Sequence, residues 1–231
     1  KRGNIAAFIR ITGGQIHDVH FLDQIMFEAG AFYVMDKGYT DFQRLYHIHQ
    51  QQAFFVIRAK NNLSYSRQSS HPILKDRGVR SDQTIRLTGP KSSTYYPERL
   101  RRIHYVDLDL NKRFFFLTNN FMLSASTIAR LYKLRWQVEL FFKWIKQHLR
   151  IKAFYGTTPN AVKTQVWIAI SVYVMVAILK KENRLEASMY EILQVLGVML
   201  FEKTPVKSLF SDDYYRFSKS SADNQLNLFD I

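Results

Sequence analysis

Residues 31–59 read AFYVMDKGYTDFQRLYHIHQQQAFFVIRA. Ala31 to Met35 is a short apolar run of the buried-strand type, and it delivers Asp36 at its C-terminal end. Gly38 supplies a turn. Asp41 has the character of a helix N-cap and predicts a helix through about Gln51. Ala53 to Ala59 is again a strand. Upstream, Ile5 to Thr12 reads as a strand closed by Gly13-Gly14. His17 to Ala29 has helical spacing, with Val19, Leu22, Ile25 and Met26 on one face. Strand, helix, strand, helix, strand is the rhythm of an α/β sheet. Open α/β sheets place functional groups at strand C-termini, where Asp36 stands. An Asp before Lys37-Gly38 is also an ordinary turn former.

Downstream the texture changes. From Lys60 to about Asn120, Ser, Arg, Gly and Pro alternate with short β-type runs at Thr84–Leu87, Leu100–Leu108 and Arg113–Thr118, the last two reading as a hairpin around Asp109–Lys112. Ser124 is a good N-cap for a long helix running to about Leu149. Pro159 opens a second through about Lys181, and Glu186 to Phe201 reads as a third. The expected organisation is therefore an α/β core over 1–59, a β-rich insertion over 60–122, a helical remainder over 123–217, and a polar, flexible tail over 218–231.

The chain has 231 residues, 47% of them hydrophobic, with no cysteine and a formal charge of +14. The apolar fraction excludes a disordered chain, and zero Cys excludes a disulfide scaffold, thiol chemistry and Cys-ligated zinc. It suits a reducing, cytoplasmic compartment. The opening Lys1-Arg2-Gly3, without Met or a signal pattern, suggests a piece of a longer protein. Val166 to Leu179 is the longest apolar stretch; it falls short of the ~18–20 residues of a membrane span and reads as a buried core helix. Residues 121–180 carry nine basic side chains and one acidic, whereas 181–231 carry six and eight. A basic excess in the middle of the chain points to a surface for a polyanion.

The one acid in that basic region is Glu139, on the stretch Leu131 to Leu149. At ~100° per residue, with Arg135 at zero, Glu139 falls at about 40°, Lys143 at about 80°, Lys146 at about 20° and Tyr132 at about 60°. These five share an arc of about 80°, while Leu131, Leu134, Val138, Phe141, Phe142, Ile145 and Leu149 fall at roughly 240–340°. An ordinary amphipathic helix with an Arg135–Glu139 i,i+4 pair gives the same spacing. A solitary carboxylate among cations, however, suits a divalent metal whose neighbours hold phosphates. Asp36 is the second candidate ligand.

Tyr132-x2-Arg135-x3-Glu139-x6-Lys146 resembles the signature of the insertion-sequence DDE transposases of family four, and Met35-Asp36-Lys37-Gly38-Tyr39-x-Asp41-Phe42 resembles the box around that family's second catalytic aspartate. The segment from Thr12 to His17-Asp18 is similar to the stretch before that box, and the likeness extends over about residues 1–210. The resemblance implies a ribonuclease-H-like core with a β insertion. It implies two Mg²⁺ (or Mn²⁺) ions held by Asp, Asp and Glu, with Asp36 as the second acid and Glu139 as the third. It also implies DNA contacts or orientation by Tyr132, Arg135 and Lys146; Lys143 joins them from the helical-face arithmetic. The family's first aspartate lies on a strand upstream of Ile5–Thr12. Asp18 and Asp23 lie on the wrong side of that strand, so the chain is expected to lack the first aspartate and to be inactive alone. The whole protein would cleave transposon ends and join them to target DNA in a bacterial cell, two ends making a homodimer plausible. A non-enzymatic DNA-binding remnant and a related metal-dependent nuclease are the alternatives.

His17-Asp18-x-His20 and His47-x-His49 make poor zinc sites without cysteine. Trp136 and Trp144 fall outside the polar arc, which predicts packing rather than base stacking. Arg99, Arg101, Arg102 and Arg113 form a basic patch, for DNA or as charge on a solvated edge. Gln225-Leu226-Asn227-Leu228-Phe229 resembles the peptide by which bacterial proteins dock onto the replication sliding clamp.

Overall fold

In the computed structural model, which describes residues 9–11, 17–73, 78–108, 111–149, 151, 153–199 and 203–210, β1 (Phe32–Met35) and β2 (Phe54–Arg58) run parallel, from Phe32 beside Phe54 to Met35 beside Ile57. A parallel pair needs a crossover, and α1 (Phe42–Gln50) is that crossover. Asp41 starts it by accepting the Arg44 amide proton at 3.1 Å. Leu45 and Ile48 of α1 are fully buried with Phe55 and Ile57.

The other edge of β2 pairs antiparallel with β6 (Lys112–Thr118). The sheet then continues through β5 (Leu100–Asp107), β4 (Val79–Leu87) and β3 (Tyr65–Ser70), in the order β1-β2-β6-β5-β4-β3. The strands of residues 60–122 and those before them thus form one mixed sheet. The β5–β6 hairpin stands where the sequence predicts it. β4 begins five residues before the expected Thr84, and β3 is not foreseen. Its sequence, YSRQSS, is largely exposed, the composition of an edge strand, which needs polar cover rather than an apolar face. A short helix, α2 (Pro90–Tyr95), also escapes the sequence reading; its Pro stands at the start of the helix.

Two further expectations change. Over His17–Ala29 the chain forms a 3-10 helix, Asp18–Gln24, rather than an α-helix. At three residues per turn Val19, Leu22 and Ile25 align, and Met26 swings away; Met26 is 93% exposed, while the other three pack in the core. The Ile5–Thr12 strand lies mostly outside the described residues, and Ile9–Ile11 have no strand conformation.

The long helix predicted from Ser124 is two helices. Ser124 does cap α3 (Ala125–Lys133), its hydroxyl accepting from the Thr127 amide at 3.2 Å. At Leu134 and Arg135 the amides turn back to Leu131 and Tyr132, three residues away rather than four, before α4 (Trp136–His148) begins. α3 lays Ile128, Ala129 and Tyr132 on Val56 and Phe116, on the face of the sheet opposite α1. Arg101 of β5 holds the approach to α3. Its guanidinium is buried against Asp82 of β4 (Nε to Oδ1, 2.8 Å) and donates to the carbonyls of Asn120 and Leu123. Arg101 is therefore no part of a basic patch: it faces inward, opposite Arg102.

The chain divides into two compact units, Thr12–Glu139 and a second containing Leu140 onwards with residues 9–11. In the second, Phe141, Ile145 and Leu149 of α4 pack with Ala169, Ile170 and Tyr173 of α5 (Pro159–Asn183), followed by α6 (Met189–Met199). Leu134, Val138 and Phe142, which the helical arithmetic puts on the apolar arc, are exposed. α5 is less enclosed than expected: 22% of its most apolar window is buried, and Trp167, Ile168, Met175 and Ile178 are exposed. By length and composition alone it could cross a membrane. The clamp-like Gln225–Phe229 lies outside the described residues.

Candidate active site

Asp36 leaves β1 at its C-terminal end, and its Oδ1 accepts the Lys37 amide proton at 2.6 Å, which starts the single 3-10 turn Lys37–Tyr39. Apolar Met35 is buried behind it. Asp36 opens onto a cleft of 430 Å³ shared with Lys37, Arg58, Lys60 and Asn61. Sequence reasoning passed over Arg58 and Lys60. The signal was available, because they end the strand that runs parallel to β1, and parallel neighbours finish side by side.

Arg135 follows the break between α3 and α4 and donates from Nη2 to Glu139 Oε1 at 2.9 Å. Burial works against its charge. Only together do the Glu139 hydrogen bond and the fields of Tyr132, Glu139 and Asp36 exceed it, and the guanidinium is held above its ordinary pKa. Of the two acids it is Glu139 that Arg135 contacts directly. Tyr132 completes the group. It is 8% exposed, with its ring 4.6 Å from that of Phe116 and the Arg135 guanidinium 5.7 Å away. Burial raises its pKa, opposed by Arg135 and Arg58 and assisted by Asp36.

Two buried atoms here have no hydrogen-bond partner, Arg135 Nε and Glu139 Oε2. Leaving such groups unpaired costs about 1–3 kcal/mol each, more when charged, so their natural complement is a ligand. Carboxylate oxygens suit a hard cation, and Mg²⁺ is commonly held by one or two carboxylates with water and phosphate completing its shell. Asp36 and Glu139 fit that donor set. Among the described residues no group of three or more His, Asp or Glu stands together.

The remaining candidates are placed as follows. Lys143 and Lys146 are exposed residues of α4 that belong to the second compact unit. Trp136 is 57% exposed rather than packed, whereas Trp144 packs against Tyr173 and His148. Asp23 pairs with Arg44 at 2.7 Å, and His49 Nδ1 lies 2.7 Å from the Tyr96 hydroxyl.

Residues 3–175 match the family described as Transposase DDE domain. A protein of Sinorhizobium fredii carrying the name transposase y4zB is 34% identical over 203 residues, which cover 86% of this chain and 56% of that protein. One of Geobacillus stearothermophilus, named as a transposase for insertion sequence element IS5377, is 36% identical over 71% of this chain and 43% of its own length. One of Synechocystis, named for element IS4SA, is 25% identical over 84% of this chain and 55% of its own. The chain spans about half the length of these relatives. The match over most of the sequence establishes that the chain belongs to the insertion-sequence DDE transposases.

Proposed function

We propose that this chain is the part of a bacterial transposase that carries two of the three metal-binding carboxylates, Asp36 and Glu139, of a ribonuclease-H-like DNA strand-transfer site. The observation that carries the reading is the 2.9 Å hydrogen bond from Arg135 to Glu139 Oε1, which leaves Glu139 Oε2 buried without a partner. The strand-end position of Asp36 and the family membership support it. The third carboxylate belongs, on this reading, to the strand that the resemblance puts before Ile5.

Asp36 and Glu139 would hold the divalent ions, which when bound supply the Lewis acidity that activates a water or 3′-hydroxyl and stabilises the leaving oxygen. The chain's own residues do the positioning. Arg135 fixes the Glu139 carboxylate through Oε1 and leaves Oε2 free to ligate. Tyr132, locked against Phe116, orients Arg135 rather than reaching DNA itself. Lys143 and Lys146 take backbone phosphates, and so does Arg58 from the cleft wall. An in-line displacement asks little covalent chemistry of the protein, so fixed geometry and charge are what it has to provide.

The chain's own affinity for Mn²⁺ tests the metal site. Calorimetric titration is expected to show binding that Asp36→Asn and Glu139→Gln each weaken by at least about tenfold, the lower end of what even outer-shell changes cost. Equal binding by wild type and both variants would remove the site.

A further inference from the structure

The face of the sheet that carries Leu100 and Leu117 in the core turns cationic toward the far end of β5. Register puts Arg102 opposite Leu117, His104 opposite Phe115 and Val106 opposite Arg113, so Arg102, His104, Arg113 and Phe115 share that face. Arg80 joins from the irregularity in β4 between Val79 and Ser81. The His104 ring stacks on Phe115 at 4.4 Å and 22°. The Arg102 guanidinium lies 4.2 Å from the Phe115 centroid and 4.9 Å from that of Tyr65. Burial first, then the fields of Arg102, Arg113 and Arg80, push the His104 pKa down. Among the described residues none of these three arginines takes part in an ion pair. His104 Nε2 is buried without a hydrogen-bond partner.

Charge that protects a sheet from aggregation belongs on its edge strands. β5 and β6 are interior strands, and the edge on that side is β3. Three guanidinium groups gathered on interior strands repel one another until an anion arrives. A path to them exists. The cleft at Asp36 and a second of 200 Å³ that includes Tyr65, Arg102 and Phe115 have Ala59, Lys60 and Asn61 in common. The wall from Asp36 to Arg102 thus carries Lys37 and Lys60, while the Arg58 guanidinium lies over Phe114 on the opposite face of the sheet.

We propose that Arg80, Arg102 and Arg113 around His104 form a phosphate-binding face for a DNA strand that runs from the cleft at Asp36 past Lys60. A continuous track of cations suits a polymer of phosphates rather than a single anion. The choice of DNA as that polymer rests on the transposase reading.

Arg80 and Arg113 are exposed, so Arg80→Ala/Arg113→Ala tests the face without opening the core. Fluorescence anisotropy of the chain with a labelled oligonucleotide, across a salt series, reads both affinity and the number of phosphate contacts. Losing two contacts is expected to flatten the slope of log K against log[salt] by about 1.4–1.8, and to shrink the affinity change between about 50 and 200 mM salt by about tenfold. Arg80→Lys/Arg113→Lys should keep the wild-type slope, which separates lost charge from lost folding. An alanine pair with wild-type affinity and slope would overturn the face. Failure of the catalytic reading shows elsewhere, as Mn²⁺ binding indifferent to Asp36→Asn and Glu139→Gln, so the two failures are distinguishable.

Discussion

Glu139→Gln in a full-length protein carrying this chain is expected to lower cleavage and joining of labelled transposon ends in Mg²⁺ by on the order of a thousandfold, while DNA affinity holds or rises. Glutamine keeps the shape and still offers Arg135 a carbonyl oxygen at the Oε1 position, so the 2.9 Å hydrogen bond has a successor. What disappears is the anionic oxygen at Oε2, the one without a partner. Charge stabilisation by a bound metal is worth several kcal/mol at a phosphoryl-transfer transition state, and each 1.36 kcal/mol is about tenfold in rate. Removing a negative charge from a surface that meets phosphates cannot weaken DNA binding electrostatically. Cleavage within tenfold of wild type would show that Glu139 is not a ligand. Nicking without joining by the unmodified protein would instead favour a nuclease.

The second large effect falls on stability. Asp82→Ala should destabilise the sheet-bearing unit by roughly 3–5 kcal/mol, because it strands the buried Arg101 guanidinium without its counter-charge. The remaining acceptors, the carbonyls of Asn120 and Leu123, are backbone groups and carry no full charge. The pair also holds the approach to α3, so its loss reaches Tyr132 and through it Arg135. Replacing both partners, as Asp82→Leu/Arg101→Met, should recover much of the loss, since apolar residues of similar volume often substitute for a buried ion pair. Urea denaturation of the wild type and the two variants measures this. A change below about 1 kcal/mol for Asp82→Ala would mean that water reaches the pair and screens it.

The parts of the fold that were legible in the sequence are those set by local chemistry. The apolar run Phe32–Met35, the turn at Gly38, the Asp41 cap and the strand after α1 each depend on neighbouring residues, and each appears within a residue or two of its expected place. The Arg135–Glu139 pair follows from four-residue spacing. The break at Leu134 and Arg135 has no such signal. No Gly or Pro marks it, and Leu, Arg and Trp all continue a helix readily. It falls just after Tyr132, the last residue of α3 packed on the sheet. Once the helix breaks, the angular arithmetic that put Tyr132 on the polar arc no longer applies, and its ring turns into the core. The same break leaves Leu134 and Val138 outside. Arg101 illustrates another limit: in a strand, residues 101 and 102 face opposite ways, so a run of arginines cannot be read as one patch. The cleft beside Asp36, with Arg58, Lys60 and Asn61 on its wall, is likewise set by the tertiary fold.

On the proposed reading, Asp36 and Glu139 together hold divalent metal. Crystals of the chain soaked in Mn²⁺ and measured for anomalous scattering test it most directly. The expected result is a peak with an oxygen of each carboxylate in its coordination shell, absent from Glu139→Gln crystals. A peak touching neither or only one of the two, or none at saturating Mn²⁺, would contradict the claim.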